Sequence, residues 1–304
     1  MHNSVTTIID PDSCIGCGLC VEVCPSKTLS MVNGKAVVSG TYSMGCGHCE
    51  AVCPAQAIRV EALAHPFILS SVATDDRWLP HGEYDTEQLV RLMRSRRSCR
   101  NYTNKRIERN LLEDLVKIGT TAPSGTNSQL WTFTVIPVRG EVVSLGAQIA
   151  RYFQKLNGMA TKPWLRFFSQ VFGGDALGRY YRRYYETVRE GLQLWENTGV
   201  DTLFHGATAA IIVGGKRSAG SPLEDGLLAS QNILLAAHSL GLGSCMIGFA
   251  VAAINRDKEI QQMLEIPGDE SVYAFIALGY PAERYHRAAH RKKIIPHYPS
   301  LLKK

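Results

Sequence analysis

The sequence predicts an α+β protein with a small front unit and a larger one behind it. Three observations lead there. Seven of the nine cysteines lie in two short runs before residue 54. Residues 1–62 contain a pseudo-repeat of about 29 residues, with Cys14…Pro25 matching Ser43…Pro54. From Tyr84 onward, helical and strand periodicities interleave. The expected organisation is a unit over 1–62, a linker over 63–83 and a second unit over 84–304.

The first run reads Cys14-Ile-Gly-Cys17-Gly-Leu-Cys20-Val-Glu-Val-Cys24-Pro25, and the second Ser43-Met-Gly-Cys46-Gly-His-Cys49-Glu-Ala-Val-Cys53-Pro54. Cysteines in C-x-x-C spacing on a glycine-containing loop reach neighbouring irons of one cubane, and the cysteine before proline ligates the other cluster. This spacing resembles that of bacterial two-cluster ferredoxins, which implies an iron–sulfur domain through which electrons pass. On that pattern Cys14, Cys17, Cys20 and Cys53 hold one [4Fe–4S] cluster. Cys24, Cys46, Cys49 and the group at position 43 hold the second. Position 43 is serine, a departure from the pattern. Four readings stay open: Ser43 ligates a [4Fe–4S] cluster through oxygen, the site holds [3Fe–4S], one iron carries a solvent ligand, or the second cluster is lost. The near-identity of the two runs argues against a disulfide or zinc fold. His48 has no required role as a ligand.

Within this unit each half is expected to place its cluster loop before a short helix, as in Pro54-Ala-Gln-Ala-Ile. Leu29–Val32 and Ala36–Val38 flank Asn33-Gly34, a strong hairpin signal. Residues 63–83 contain Pro66, Pro80 and Gly82 without clear periodicity and read as the linker.

Composition bounds the function. With 304 residues, 45% hydrophobic and 20% charged, the chain falls in the soluble globular class. No apolar run reaches membrane-spanning length, and the first twelve residues contain no apolar signal core. No membrane partner is expected, and cysteines spaced for iron ligation fit a reducing cytoplasm. The formal charge of +6 divides unevenly, with −2 on residues 1–65 and +8 on the remainder. Nucleic-acid binding is not expected, because the most basic stretch has a better explanation below.

In the second unit, Asp85 caps a helix that puts Leu89, Leu92 and Met93 on one face. A second helix is expected near Arg109–Thr120, a strand over Trp131–Pro137, and helices near 141–157, 176–197 and 223–240. Ala209–Gly215 and Val272–Leu278 read as buried strands. Tyr181, Tyr184, Tyr185, Val188, Leu192 and Trp195 follow helical spacing and read as core or dimer packing, with substrate contact as the alternative.

Three segments carry the chemistry. Arg96-Arg97-Ser98-Cys99-Arg100-Asn101-Tyr102 offers cations and hydroxyls to a phosphate, or is a solvated basic helix end. Ala122-Pro123-Ser124-Gly125-Thr126-Asn127-Ser128-Gln129-Leu130-Trp131 is a tight polar loop suited to the edge of a flat heteroaromatic ring, or a plain connection. Leu240-Gly-Leu-Gly-Ser-Cys245-Met-Ile-Gly-Phe249 lets backbone approach a ligand, or is a common helix exit. Cys99 and Cys245 read as small packing residues rather than redox thiols.

In this order the segments resemble the R-[RH]-S-x-[RK], P-S-x-x-N-x-Q-P-W and G-x-G-x-x-x-x-G motifs of the FMN-dependent nitroreductase family. Leu130 departs from the usual proline, which bears on loop stiffness. The resemblance covers roughly residues 85–304, and with the front unit the chain looks like a ferredoxin–nitroreductase fusion. It implies an α/β/α sandwich with a mainly antiparallel sheet and a homodimer with FMN at the interface. By the same resemblance, Arg96, Arg97, Ser98 and Arg100 hold the phosphate and ribityl chain. Pro123, Ser124, Gly125 and Asn127 contact the flavin, largely from the partner subunit. Backbone near Ile247 and Gly248 faces its N5 and O4 edge, and Arg291 completes the phosphate site. No catalytic acid is named.

The expected function is an iron–sulfur flavoprotein oxidoreductase. Electrons from reduced ferredoxin or NAD(P)H reach FMN, which reduces a small electrophilic acceptor such as a nitroaromatic, quinone or activated alkene. The alternatives are an electron-transfer flavoprotein with a protein partner, or the same architecture used for reductive dehalogenation or flavin modification.

Overall fold

A computed structural model describes residues 4–299, so the outermost residues of the expected 1–62 and 84–304 units lie outside it. The front unit holds strand β1 (Thr7–Ile9), helix α1 (Leu19–Glu22), strands β2 (Leu29–Val32) and β3 (Lys35–Val38), helix α2 (His48–Ala51) and strand β4 (Ile58–Val60). β1 pairs antiparallel with β4, and β2 with β3 in the register Leu29↔Val38 to Val32↔Lys35. The hairpin turn Asn33-Gly34 is left-handed at both residues, as a two-residue loop of this type requires.

The pseudo-repeat is a repeat of backbone shape. Gly16 and Gly45, Gly18 and Gly47, and Lys27 and Gln56 all have positive φ, each pair 29 positions apart. Gly18 and Gly47 begin α1 and α2. The short helices therefore lie inside the cysteine runs, and Pro54 leads into β4 rather than into a helix. The Pro54 signal failed because Gln56 turns left-handed, which stops a helix from propagating. At Gly16 a Cβ would clash with the Gly34 carbonyl oxygen, so the first cysteine loop packs directly on the hairpin turn.

Past residue 63 the chain has no helix or strand until α3 (Thr86–Ser95), where Asp85 accepts from the Gln88 N–H at 3.1 Å, as the cap predicts. The intervening segment is nonetheless anchored. Fully buried Asp114 of α4 (Arg109–Gly119) accepts from the N–H groups of Ser70 and Ser71 at 2.9 and 2.6 Å, and from the Ser71 hydroxyl. Burial opposes its ionisation, but these donors and Lys117 outweigh that and hold the carboxyl below the usual range.

Next come β5 (Trp131–Ile136), α5 (Arg139–Ala160), α6 (Pro163–Phe172), α7 (Ala176–Arg183), α8 (Tyr185–Thr198), β6 (Ala209–Lys216) and α9 (Pro222–Ser239). The chain ends its ordered elements with β7 (Gly243–Met246), α10 (Gly248–Ile254), α11 (Lys258–Met263) and β8 (Glu270–Gly279). The expected helix near 176–197 is two helices, broken at Tyr184.

The sheet order is β5-β6-β8-β7, antiparallel throughout. Both faces are covered, so the central strands carry continuous apolar runs, Ala209–Val213 in β6 and Ala274–Leu278 in β8. Ile211 and Val213 of β6 and Ile276 and Leu278 of β8 face a core shared with α4 and α9. Ile212 and Phe275 face the opposite core, shared with α5 and α10. This is an α/β/α sandwich, with the cysteine-bearing unit in front.

Candidate functional site

The cysteines gather in two groups. Burial pushes the Cys20 thiol up, and neighbouring Cys17 and Cys14 add to this. Burial likewise raises Cys49, and its added neighbours are Cys24 and Cys46. Cys24, Cys49 and Cys53 all pack against one small core that contains Cys14 and Cys20. All seven are free thiols. The two cysteines before proline accept equivalent backbone bonds, Thr28 N–H to Cys24 Sγ and Ala57 N–H to Cys53 Sγ, both at 3.3 Å. At Cys24, burial is outweighed by such donors, led by Thr28, and the thiol is lowered from its ordinary value. Among the described residues no three His, Cys, Asp or Glu side chains converge on one point as ligands of a single ion would. Cubane ligands differ in binding one iron each. Ser43 lines a small cavity together with Cys24, Cys46 and Cys49, and its hydroxyl accepts from Gly45 N–H at 3.0 Å. The arrangement fits two clusters, with Ser43 beside the second.

The basic run meets β7 at one sheet edge. Cys99 N–H donates to the Ser244 carbonyl at 2.9 Å, and Ser98 bridges Ser244 in parallel sense. Burial, then repulsion from Arg97 and Arg291, lowers the Arg96 guanidinium from its usual value. Arg100 and Arg96 also lie close enough to Cys245 to favour its thiolate, although burial dominates and raises that thiol. Arg96, Arg97, Arg100 and Arg291 thus gather without a carboxylate partner in any ion pair among the described residues. Beside them the Ser244 hydroxyl is buried and has no hydrogen-bond partner. A cluster of cations with an orphaned hydroxyl fits a phosphate-bearing ligand.

A cavity of about 960 Å³ opens from this edge, lined by Arg100, His205, Ile247, Gly248, Tyr180 and Phe249 among others. A Cβ added at Gly248 would meet nothing within 4 Å, so the chain leaves ligand room there. The far wall is aromatic. Tyr180 donates to Asn157 Oδ1 at 2.6 Å, and Tyr184 meets Phe249 edge to face at 5.7 Å. Of the aromatic stripe read as packing, Tyr184 lines this cavity, while Val188, Leu192 and Trp195 line a neighbouring apolar one of about 380 Å³. Cys99 and Cys245 are buried with raised thiol pKa, which makes them poor nucleophiles.

The polar loop lies elsewhere. Asp225, in the first turn of α9, accepts from Gly125 N–H at 2.8 Å, and Trp131 Nε1 donates to the Asp225 carbonyl at 3.1 Å. Thr126, Asn127 and Gln129 all have positive φ, a density of left-handed residues that marks a pre-shaped contact loop. Arg96 lies instead beside His238 in the last turn of α9, where burial and that cation hold the imidazole below its ordinary value. Thirteen residues of helix, about 20 Å, separate the two places. The structure joins Arg96, Ser98, Arg100, Ile247, Gly248 and Arg291, and leaves Pro123, Ser124, Gly125 and Asn127 at the other end of α9.

Sequence reading missed several residues that build the site. Ser244 sat unremarked inside a glycine-rich run. Asp201 accepts from Arg139 at 2.8 Å and from Phe204 N–H at 2.7 Å, and so shapes the loop that presents His205. The Asp201-x-x-Phe204 turn was the available signal. Asp225 was hidden in the first turn of a long helix.

The family described as Nitroreductase family matches residues 93–280, and the 4Fe-4S binding domain matches residues 7–30. A 4-nitrobenzoate reductase of Nocardioides sp. is 26% identical over 205 residues, 62% of this chain and 78% of that protein. The iodotyrosine deiodinase of Haliscomenobacter hydrossis is 25% identical over 199 residues, 64% of this chain and 80% of that protein. The crystal structure of a nitroreductase with bound FMN from Bacteroides fragilis superposes with a TM-score of 0.50 at 24% identity, over 72% of this chain and all of that one. Among the described residues no helix is long and apolar enough to cross a membrane.

Proposed function

Because the chain belongs to the nitroreductase family, with a 4Fe-4S binding domain in front, we propose that it is an FMN-dependent oxidoreductase whose clusters supply electrons to a small electrophilic acceptor. The observation that carries this reading is the gathering of Arg96, Arg97, Arg100 and Arg291, with no carboxylate ion-pair partner among the described residues, at the β7 edge where Arg100 and Cys245 line an aromatic cavity. Bound there, FMN supplies a centre that takes electrons singly and delivers them in pairs.

The chain's own residues divide the work. Arg96, Arg97, Arg100 and Arg291 neutralise the phosphate, and Ser98 and Ser244 offer hydroxyls. Backbone at Ile247 and Gly248 faces the ring edge, and Gly248 keeps that approach clear. Tyr180, Tyr184 and Phe249 form an apolar wall that keeps water off a flat acceptor. Cys14, Cys17, Cys20 and Cys53, and Cys24, Cys46, Cys49 and Ser43, hold the two clusters. Cysteines spaced for iron ligation suit a reducing compartment. The separation of the polar loop from the cations supports a homodimer, in which a second copy's loop completes each site.

Flat, conjugated nitroaromatics, quinones and activated alkenes suit the cavity's aromatic wall. A halogenated aromatic is the second reading, favoured by the tyrosine-lined wall and the deiodinase relative. The wide cavity argues against exchange with a protein partner alone. The test is anaerobic reduction of the purified protein, followed at the flavin absorption band with NADH, NADPH or reduced ferredoxin. Reduced enzyme is then mixed with a nitroaromatic or an iodophenol. Loss of the nitro group supports the first acceptor class and iodide release the second. A purified protein that carries neither flavin nor iron defeats both.

A further inference from the structure

The Asn127 side chain of the polar loop donates to the Gly45 carbonyl at 3.0 Å and to the Met44 carbonyl at 3.3 Å. Gly45 immediately precedes Cys46, so the loop is bonded to the backbone that carries the second group of cysteines. A cleft of about 470 Å³ opens at this junction between the two units, lined by Met44, Gly45, Leu63, Asn127 and Ser128 among others. The same chain's cations lie about 20 Å away at the far end of α9. Across the sheet, β5 and β7 occupy opposite edges, three strand spacings or about 14 Å apart. That separation exceeds the length of an isoalloxazine ring, so one copy cannot press both Asn127 and Ile247 against the same ring edge.

We propose that the protein is wired in trans: the cysteine domain of one copy feeds the flavin whose phosphate is gripped by the Arg96 cluster of a second copy, with Asn127 as the junction. This rests on the flavin and cluster reading given above. Each transfer takes one electron from the cluster beside Cys46 and gives one to the flavin ring seated in the cleft. Two transfers, with protons from water, complete a two-electron reduction, and a low-potential one-electron donor restores the cluster.

The test uses purified heterodimers of the full chain, made by co-expressing two differently tagged copies. One copy carries Arg96→Ala with Arg100→Ala, and the other carries Cys46→Ala with Cys49→Ala. In the comparison dimer all four changes sit on one copy and the other is unaltered. FMN content, cluster electron paramagnetic resonance and the anaerobic bleaching rate with a one-electron donor are read for each. Wiring in trans predicts about half the normal FMN in both dimers. The first should bleach at the unaltered rate, because its one gripped flavin meets the loop and intact cluster of the other copy. The second should bleach at least tenfold more slowly. The reverse order, or equal rates, overturns the proposal. If the arginine-altered homodimer keeps its full FMN, the flavin-site reading itself fails, and the wiring falls with it. Cys46→Ala alone, checked by its resonance spectrum, replaces the double change should that prevent folding.

Discussion

The carboxylate of Asp225 accepts the backbone N–H of Gly125 at 2.8 Å, which ties a loop of three left-handed residues to the start of α9. Asp225 is almost fully buried and also lies within 3.4 Å of the Ser128 hydroxyl. Asp225→Ala should leave these donors unsatisfied and cost about 1–3 kcal/mol. Chemical denaturation with and without added FMN measures it. The variant should lose stability in both, and flavin affinity as well. Full flavin affinity in a destabilised protein would separate the loop from the flavin.

Arg96→Ala with Arg100→Ala should abolish FMN retention through purification. Each charge-assisted hydrogen bond lost is worth about 1.5–3 kcal/mol, or roughly 10- to 100-fold in affinity. Fluorescence titration of the stripped protein with FMN, and with riboflavin as the phosphate-free control, checks the assignment. Riboflavin binding should change little. An equal loss for both ligands would mean the arginines shape the fold rather than grip phosphate.

Ser43→Cys should convert the second site to a four-cysteine set like the one proposed for the first. Its hydroxyl now accepts from Gly45 N–H inside a cavity shared with Cys24, Cys46 and Cys49. Iron and sulfide content together with electron paramagnetic resonance before and after the change read the outcome. A spectrum that does not alter places Ser43 away from the iron.

His205 gives a pH signature. Burial, then the Arg100 charge, holds its imidazole below the ordinary value, with Asp201 opposing. The unfolded chain binds the proton more readily, so this stability is complete above the unfolded pKa of about 6.5 and is lost as pH falls through the folded one. His205→Asn suits the left-handed backbone there and should flatten that acid loss. Urea midpoints at about pH 7.5 and about pH 5.5 compare the two proteins, starting from the unperturbed histidine value. Parallel losses would assign the acid sensitivity to another group.

Much of this was legible in the chain. The 29-residue spacing that fixes Gly18 and Gly47 at the starts of α1 and α2 is written in the cysteine runs, and the Asp85 cap and the apolar run Ala209–Gly215 announce α3 and β6. β1, β4 and β7 were not legible, because strands of three or four residues carry too few positions for a period to show. The break at Tyr184 was hidden by an unbroken helical stripe. The site was legible as segments but not as a place. Only tertiary structure shows that Arg291 comes back beside Arg96, and that Asn127 turns away from both toward Gly45.

Asp114 has a further consequence. By holding Ser70 and Ser71 it takes most of the slack out of the chain between the cysteine unit and the sandwich. The front unit is then a docked relay and not a swinging arm that must search for its target. Its electron delivery should be indifferent to solvent viscosity in the native protein, and should slow in glycerol only once Asp114→Asn has loosened the tether.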